Sequence, residues 1–165
     1  MTPESVSRQD AIRRQLDTAI WLWFQDDDSV SIHTLACSAL KIAHDIGEKL
    51  GKPAILFEHL PKELKKDAIA AQGFFKHAKD DPRDVLSFNS GITLYHIYDA
   101  ANCYKGIFFS LSPLMTTFIL RFLLVYPTIG SVDVPPSLGA FTTKGDLAEM
   151  AKGSFFDAVF PILNR

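Results

Sequence analysis

Three short stretches of the chain carry the side chains able to do chemistry. His33, Cys37, Leu40 and His44 follow one another at spacings of four, three and four, so on a helix they form one line. Eleven residues are close to three full turns, which puts His33 and His44 about 16 Å apart along the axis, too far to share a metal. Ile92, His96, Asp99 and Cys103 make a similar line, and His96 with Asp99 is an i, i+3 pair within reach of direct contact. The third stretch, FFKHAKDD from Phe74 to Asp81, sets Lys76 and His77 beside an aromatic pair.

Helical bundles build metal sites from histidines on two or three packed helices plus a carboxylate, a donor set suited to zinc, iron or manganese. The set to consider is His33, His77 and Asp99, with His96 in reserve. Against it, no E-x-x-H or H-E-x-x-H signature is present, and a histidine bordering an apolar helix face is more often hydrogen-bonded to a backbone carbonyl or carboxylate. The sequence therefore assigns no metal ligands and no cofactor. Anion binding is the other chemistry on offer, because Lys76, His77, Lys79 and Arg83 cluster together. Asp80, Asp81 and Asp84 interleave with these cations, and the dipole of a helix C-terminus already explains some of them. Nucleophilic catalysis has less support, since there is no G-x-S-x-G and neither cysteine has a base beside it in sequence.

The elements that must position these residues read as helices. Ile12, Leu16, Ala19, Ile20 and Trp23 recur at helical spacing and predict a first helix over about 8–24. The second, about 30–50, carries Ile32, Leu35, Ala36, Ala39, Ala43 and Ile46 on one stripe; Asp28 or Ser29 can cap it and Gly51 can end it. A third helix starts at Pro61 and runs to about Lys79, and a fourth covers about 90–109. The stretch from Gly106 to Gly130 has Arg121 as its one charge, but Pro113, Arg121 and four hydroxyl residues argue against a membrane span. It reads as a central helix entered through Ser112 and Pro113. Residues 128–143 form a long irregular loop of the kind that often serves as a lid or partner arm. A last helix spans about 144–163, weakened by Gly153 and bent or ended by Pro161. No sustained period-two alternation occurs. The expected fold is an all-α single domain, residues 1–165, of about six helices.

Composition narrows the function classes. A chain of 165 residues with 47% hydrophobic and 22% charged residues is long enough to bury a core without metal or disulfide. A formal charge of −2 provides no general field for a phosphate backbone, so DNA is not an expected partner. Cys37 and Cys103 lack zinc-like or redox spacing and should be buried and reduced. The polar stretch Met1 to Arg14 has no signal-peptide h-region, and the cytoplasm is the expected compartment.

The words HTLA (His33 to Ala36) and FFKHAKDDP (Phe74 to Pro82) resemble two segments of a family of small helical bacterial proteins, in which an HTLA-type helix is followed some forty residues on by FFKHA-x-x-DP. The resemblance covers Leu22 to Ser87 and implies that His33, Phe75, Lys76, His77, Asp81 and Pro82 share one packed site; it carries no activity to transfer. The helix layout is also similar to that of the HEPN superfamily of nucleotide-binding and RNA-cleaving proteins. That superfamily's nuclease motif places a His four to six residues after an Arg, and none of Arg8, Arg13, Arg14, Arg83, Arg121 or Arg165 has one. What this likeness implies is a non-catalytic binding role.

The expectation is thus an intracellular helical binding domain, homodimeric through some of Trp21, Trp23, Phe122 and Tyr126 if these are not core, with a small anionic or nucleotide-like ligand at His33, Lys76, His77, Asp81 and Asp99. The competing class is a metal-dependent or phosphate-directed enzyme with a His/Asp site between the second, third and fourth helices.

Overall fold

The computed structural model describes residues 3–52, 61–76, 83–139 and 143–165; His77 and Asp81 lie outside them. Among the described residues the chain is an all-α bundle without strands. In chain order it comprises α1 (Arg8–Phe24), α2 (Ser29–Lys49), α3 (Lys62–Lys76), α4 (Thr93–Phe108), α5 (Pro113–Val125), α6 (Lys144–Glu149) and α7 (Lys152–Leu163). Single 3₁₀ turns precede α4 (Ser90–Ile92) and follow the α5 exit (Pro136–Leu138).

Local chemistry sets most of the boundaries. Ser7 caps α1 by accepting from the Asp10 N–H, and Asp28, not Ser29, caps α2 by accepting from Val30 and Ser31. The α2 C-terminus is a Schellman turn: Gly51 takes φ +67°, its N–H bonds the Glu48 carbonyl, and the Lys52 N–H reaches back to Gly47 O at 2.7 Å. That return brings backbone so close that a Cβ on Gly47 would sit 2.4 Å from the Lys52 oxygen. Ser112 caps α5 with Pro113 at its first position, and its hydroxyl also donates to Asp17 on α1.

α2 packs most extensively on α4 and α1, while α5 lies against α7, α1, α6 and α4. The α1, α5 and α7 side of the core is aromatic: Phe24, Phe118 and Phe155 are fully or almost fully buried, and Trp23 meets Phe118 edge-on at 5.2 Å between ring centres. Phe122 belongs to this core, and the partly buried Tyr126 packs against it. Trp21 is 46% exposed, with its ring edge on Phe156.

The last helix departs from the sequence-based expectation, and the cause lies on another helix. The last helix is broken into α6 and α7 at Met150 and Ala151, both extended (ψ 142° and 146°), rather than at Gly153 or Pro161. Arg121, from the middle of α5, donates to the carbonyls of Leu147, Ala148 and Met150 at 2.7, 2.9 and 2.7 Å. The guanidinium thereby satisfies carbonyls that a continuing helix would have satisfied itself. It also stands over the Phe155 ring at 5.2 Å. With this role Arg121 no longer resembles a charge stranded in an apolar span. α5 has 13 residues, a length of about 20 Å, and no described helix is long and apolar enough to cross a membrane. The described part of the 128–143 connection packs down rather than standing off: Leu138 is fully buried, and Ile129, Val132 and Val134 contact the core.

Candidate functional site

The polar core of the protein forms where α2, α3 and α4 meet. α2 contributes His33 and Cys37, one turn apart, with Cys37 Sγ 3.3 Å from His33 Nε2. α4 contributes Thr93 and His96. Its entry is fixed by the 3₁₀ turn, where the Asn89 side chain accepts from the Gly91 N–H, and this places Thr93 Oγ1 2.9 Å from His33 Nδ1. The two imidazoles lie 5.2 Å apart at 72°, and Phe88 and Phe75 close on His33 at 5.0 and 5.8 Å, again nearly perpendicular. Phe88 and Phe75 in turn meet edge-on at 5.2 Å. His33 is fully buried, and Cys37, Thr93 and His96 nearly so.

His96 Nδ1 lies 3.2 Å from the Ile92 carbonyl. A carbonyl only accepts, so Nδ1 carries the proton of the neutral ring and Nε2 its lone pair. Burial pushes the His33 pKa down to about 4, helped by positive charge at His96 and Lys76 and opposed by a hydrogen bond to the Ala68 backbone. Burial lowers His96 as well, against its bond to Ile92. The same desolvation pushes the Cys37 thiol up to about 12, with the Lys76 ammonium working the other way. At neutral pH the cluster is two uncharged imidazoles and a thiol.

The structure brings together part of the set read from the sequence. His33 and Phe75 are in ring contact. Lys76, though exposed, is near enough to bias both His33 and Cys37 electrostatically. His77 and Asp81 lie outside the described residues. Asp99 is buried on α4, but the ring that meets His33 is His96; the carboxylate lies one turn on, where burial, with Asp99 adding to it, pushes the Cys103 thiol up to about 11. His44 is half-exposed beside Asp45, well apart from His33 as the eleven-residue spacing requires. Cys37, Thr93 and Phe88 are the residues that sequence reasoning passed over. The i, i+4 spacing of His33 and Cys37 was the available signal for the first, whereas Thr93 and Phe88 enter only through the α2–α4 pairing.

Two cavities flank the start of α4. The larger, about 320 Å³, is lined by Lys66, Asp67 and Ala70 of α3 and by the 83–92 segment, including Arg83, Ser87, Phe88 and Asn89. The smaller, about 190 Å³, lies between Trp23, Asp26, Ile32, Gly91, Thr93 and Lys152. Lys152 pairs with Asp26 and stands 4.8 Å over the Trp23 ring, closing one wall. Phe88 and Thr93 are shared between these cavities and the contacts of His33, so the buried cluster is the common wall behind both. No family model matches the chain, and no curated protein or solved structure does either.

Proposed function

We propose that this protein is a helical binding domain whose ligand is a small anion or nucleotide-like molecule held against the α3 face of the 83–92 segment. The observation that supports it is the composition of the larger cavity. Its volume, about 320 Å³, lies in the range of small-ligand pockets. Its walls combine two cations, Lys66 and Arg83, with one anion, Asp67, and add the Ser87 hydroxyl, the Asn89 amide and the Phe88 ring. Cations offer charge-assisted bonds to a phosphate, the amide and hydroxyl offer directional ones, and an aromatic face suits a base.

Thermal-shift and calorimetric titration with pyrophosphate, AMP, ATP and adenosine tests the reading. The phosphate-bearing compounds should raise the melting temperature, adenosine alone should not, and Lys66→Glu should weaken binding by about tenfold or more. If none of the four compounds binds at millimolar concentration, the anion reading fails.

A homodimer is the second part of the proposal, supported by the exposed Trp21 on α1 beside Phe156. Gel filtration with light scattering should give twice the chain mass, falling to a monomer in Trp21→Glu. Two unpaired, buried cysteines support a reducing, intracellular setting.

A further inference from the structure

We infer that His33, Cys37 and His96 form a site for one divalent transition-metal ion of the zinc class, with the two imidazole Nε2 atoms and the Cys37 thiolate as protein ligands. One potential donor atom from each residue falls within 4.8 Å of the others, and all three side chains are buried. The Cys37 Sγ to His33 Nε2 separation of 3.3 Å is close to the edge expected of a tetrahedron with metal–sulfur and metal–nitrogen bonds of ordinary zinc length, about 3.5 Å.

The surroundings of the two rings strengthen the case. Histidines that ligate metals have their other ring nitrogen held by an oxygen, which fixes the tautomer and the aim of the ring. Here Thr93 Oγ1 holds His33 Nδ1 and the Ile92 carbonyl holds His96 Nδ1. Both anchors lie at the first turn of α4, so the element that supplies one ligand also orients the ligand from α2. Imidazole and thiolate are a donor pair of intermediate softness, suited to zinc rather than to magnesium or calcium. Three protein ligands leave one tetrahedral corner for a small exchangeable group such as water. Loading is a proton exchange: the Cys37 S–H bond gives its proton to solvent as the sulfur–metal bond forms, and the metal's charge takes over the stabilisation of the thiolate. Lys76, beside the cluster, favours that thiolate, while its exposure to water screens its repulsion of the cation.

This site differs from the His33, His77 and Asp99 set weighed from the sequence, and it is independent of the anion cavity. The test uses the full chain, produced without an affinity tag, stripped with chelator and titrated with cobalt(II). A thiolate-to-cobalt charge-transfer absorption should develop, saturate at one cobalt per chain and be displaced by zinc. Cys37→Ser should abolish the band, and His96→Ala should weaken cobalt binding by more than about tenfold. Cys103→Ser, a buried thiol outside the cluster, should leave both unchanged. Since replacing a buried residue can unfold the chain, the wild-type titration decides alone. A protein that circular dichroism shows to be helical and that develops no band with excess cobalt overturns the site, as does a band that survives Cys37→Ser.

Discussion

The two sides of this bundle are buried to a similar depth and filled in opposite ways. Where α1, α5 and α7 meet, Phe24, Phe118 and Phe155 fill the interior with aromatic surface, and one guanidinium at its margin satisfies backbone carbonyls. Where α2, α3 and α4 meet, the interior holds imidazole, thiol and hydroxyl groups, each hydrogen-bonded to another or to backbone. The first side is stabilised by area and packing, and its aromatic rings carry no group that titrates with pH. The second is stable only while its imidazoles remain uncharged and its partners remain in register. The imidazoles and the Cys37 thiol are thus gathered at one end, whereas the other end holds the fully buried Thr117 hydroxyl among its aromatic rings.

The contrast is sharpest under substitution at the aromatic end. Phe118→Ala removes a fully buried ring and should lower the unfolding free energy by about 3–5 kcal/mol in urea titration. The loss should be the same at pH 7 and pH 5. A cost below 1 kcal/mol would mean that this side is loosely packed.

Acid should act on the other end. In the unfolded chain His33 titrates near 6.5, whereas in the folded protein its pKa is about 4, so between those values the unfolded state binds the extra proton. Stability is therefore undiminished above about pH 6.5, falls as the pH drops towards 4, and loses nothing further from this group below that. The shift corresponds to about 3 kcal/mol, and His96, also lowered, acts in the same direction. Denaturation measured with chelator present should show this slope in both the wild type and Phe118→Ala. A flat profile from pH 6.5 to 4 would place the imidazoles in contact with water.

The smallest effect expected is that of Thr93→Val, which keeps the shape but removes the oxygen beside His33 Nδ1. It should cost about 1–2 kcal/mol and, on the metal reading, also loosen cobalt binding through a misaimed ring. Equal cobalt affinity in Thr93→Val and wild type would assign the hydroxyl to packing alone.

How far the sequence foretold these two ends depended on the distance over which each feature is encoded. α2 was legible because Asp28, the apolar stripe and Gly51 all lie within the helix or at its edges. The importance of Gly47 was not, since its need for a bare Cα arises only when Lys52 folds back. The split between α6 and α7 was hidden because its cause, Arg121, is on another helix. Around the buried cluster, the sequence pointed to His33 but ranked Asp99 ahead of His96, the ring that meets it. Helical spacing places both on one flank of α4, and only the rotation of α4 against α2 decides which of them meets His33. Cys37 was read as a buried, reduced thiol because no base stands beside it in sequence, whereas its neighbour one helical turn away is an imidazole.

Arg121 has a consequence for the order in which the molecule can be completed. The first carbonyl it serves lies 26 residues downstream. A growing chain therefore exposes α5, with its cation and apolar surface, well before the acceptors at Leu147, Ala148 and Met150 leave the ribosome. Until then the guanidinium keeps its water shell, which opposes early burial of α5. A chain truncated before Leu147 would lack the groups that let this end of the bundle shed its water.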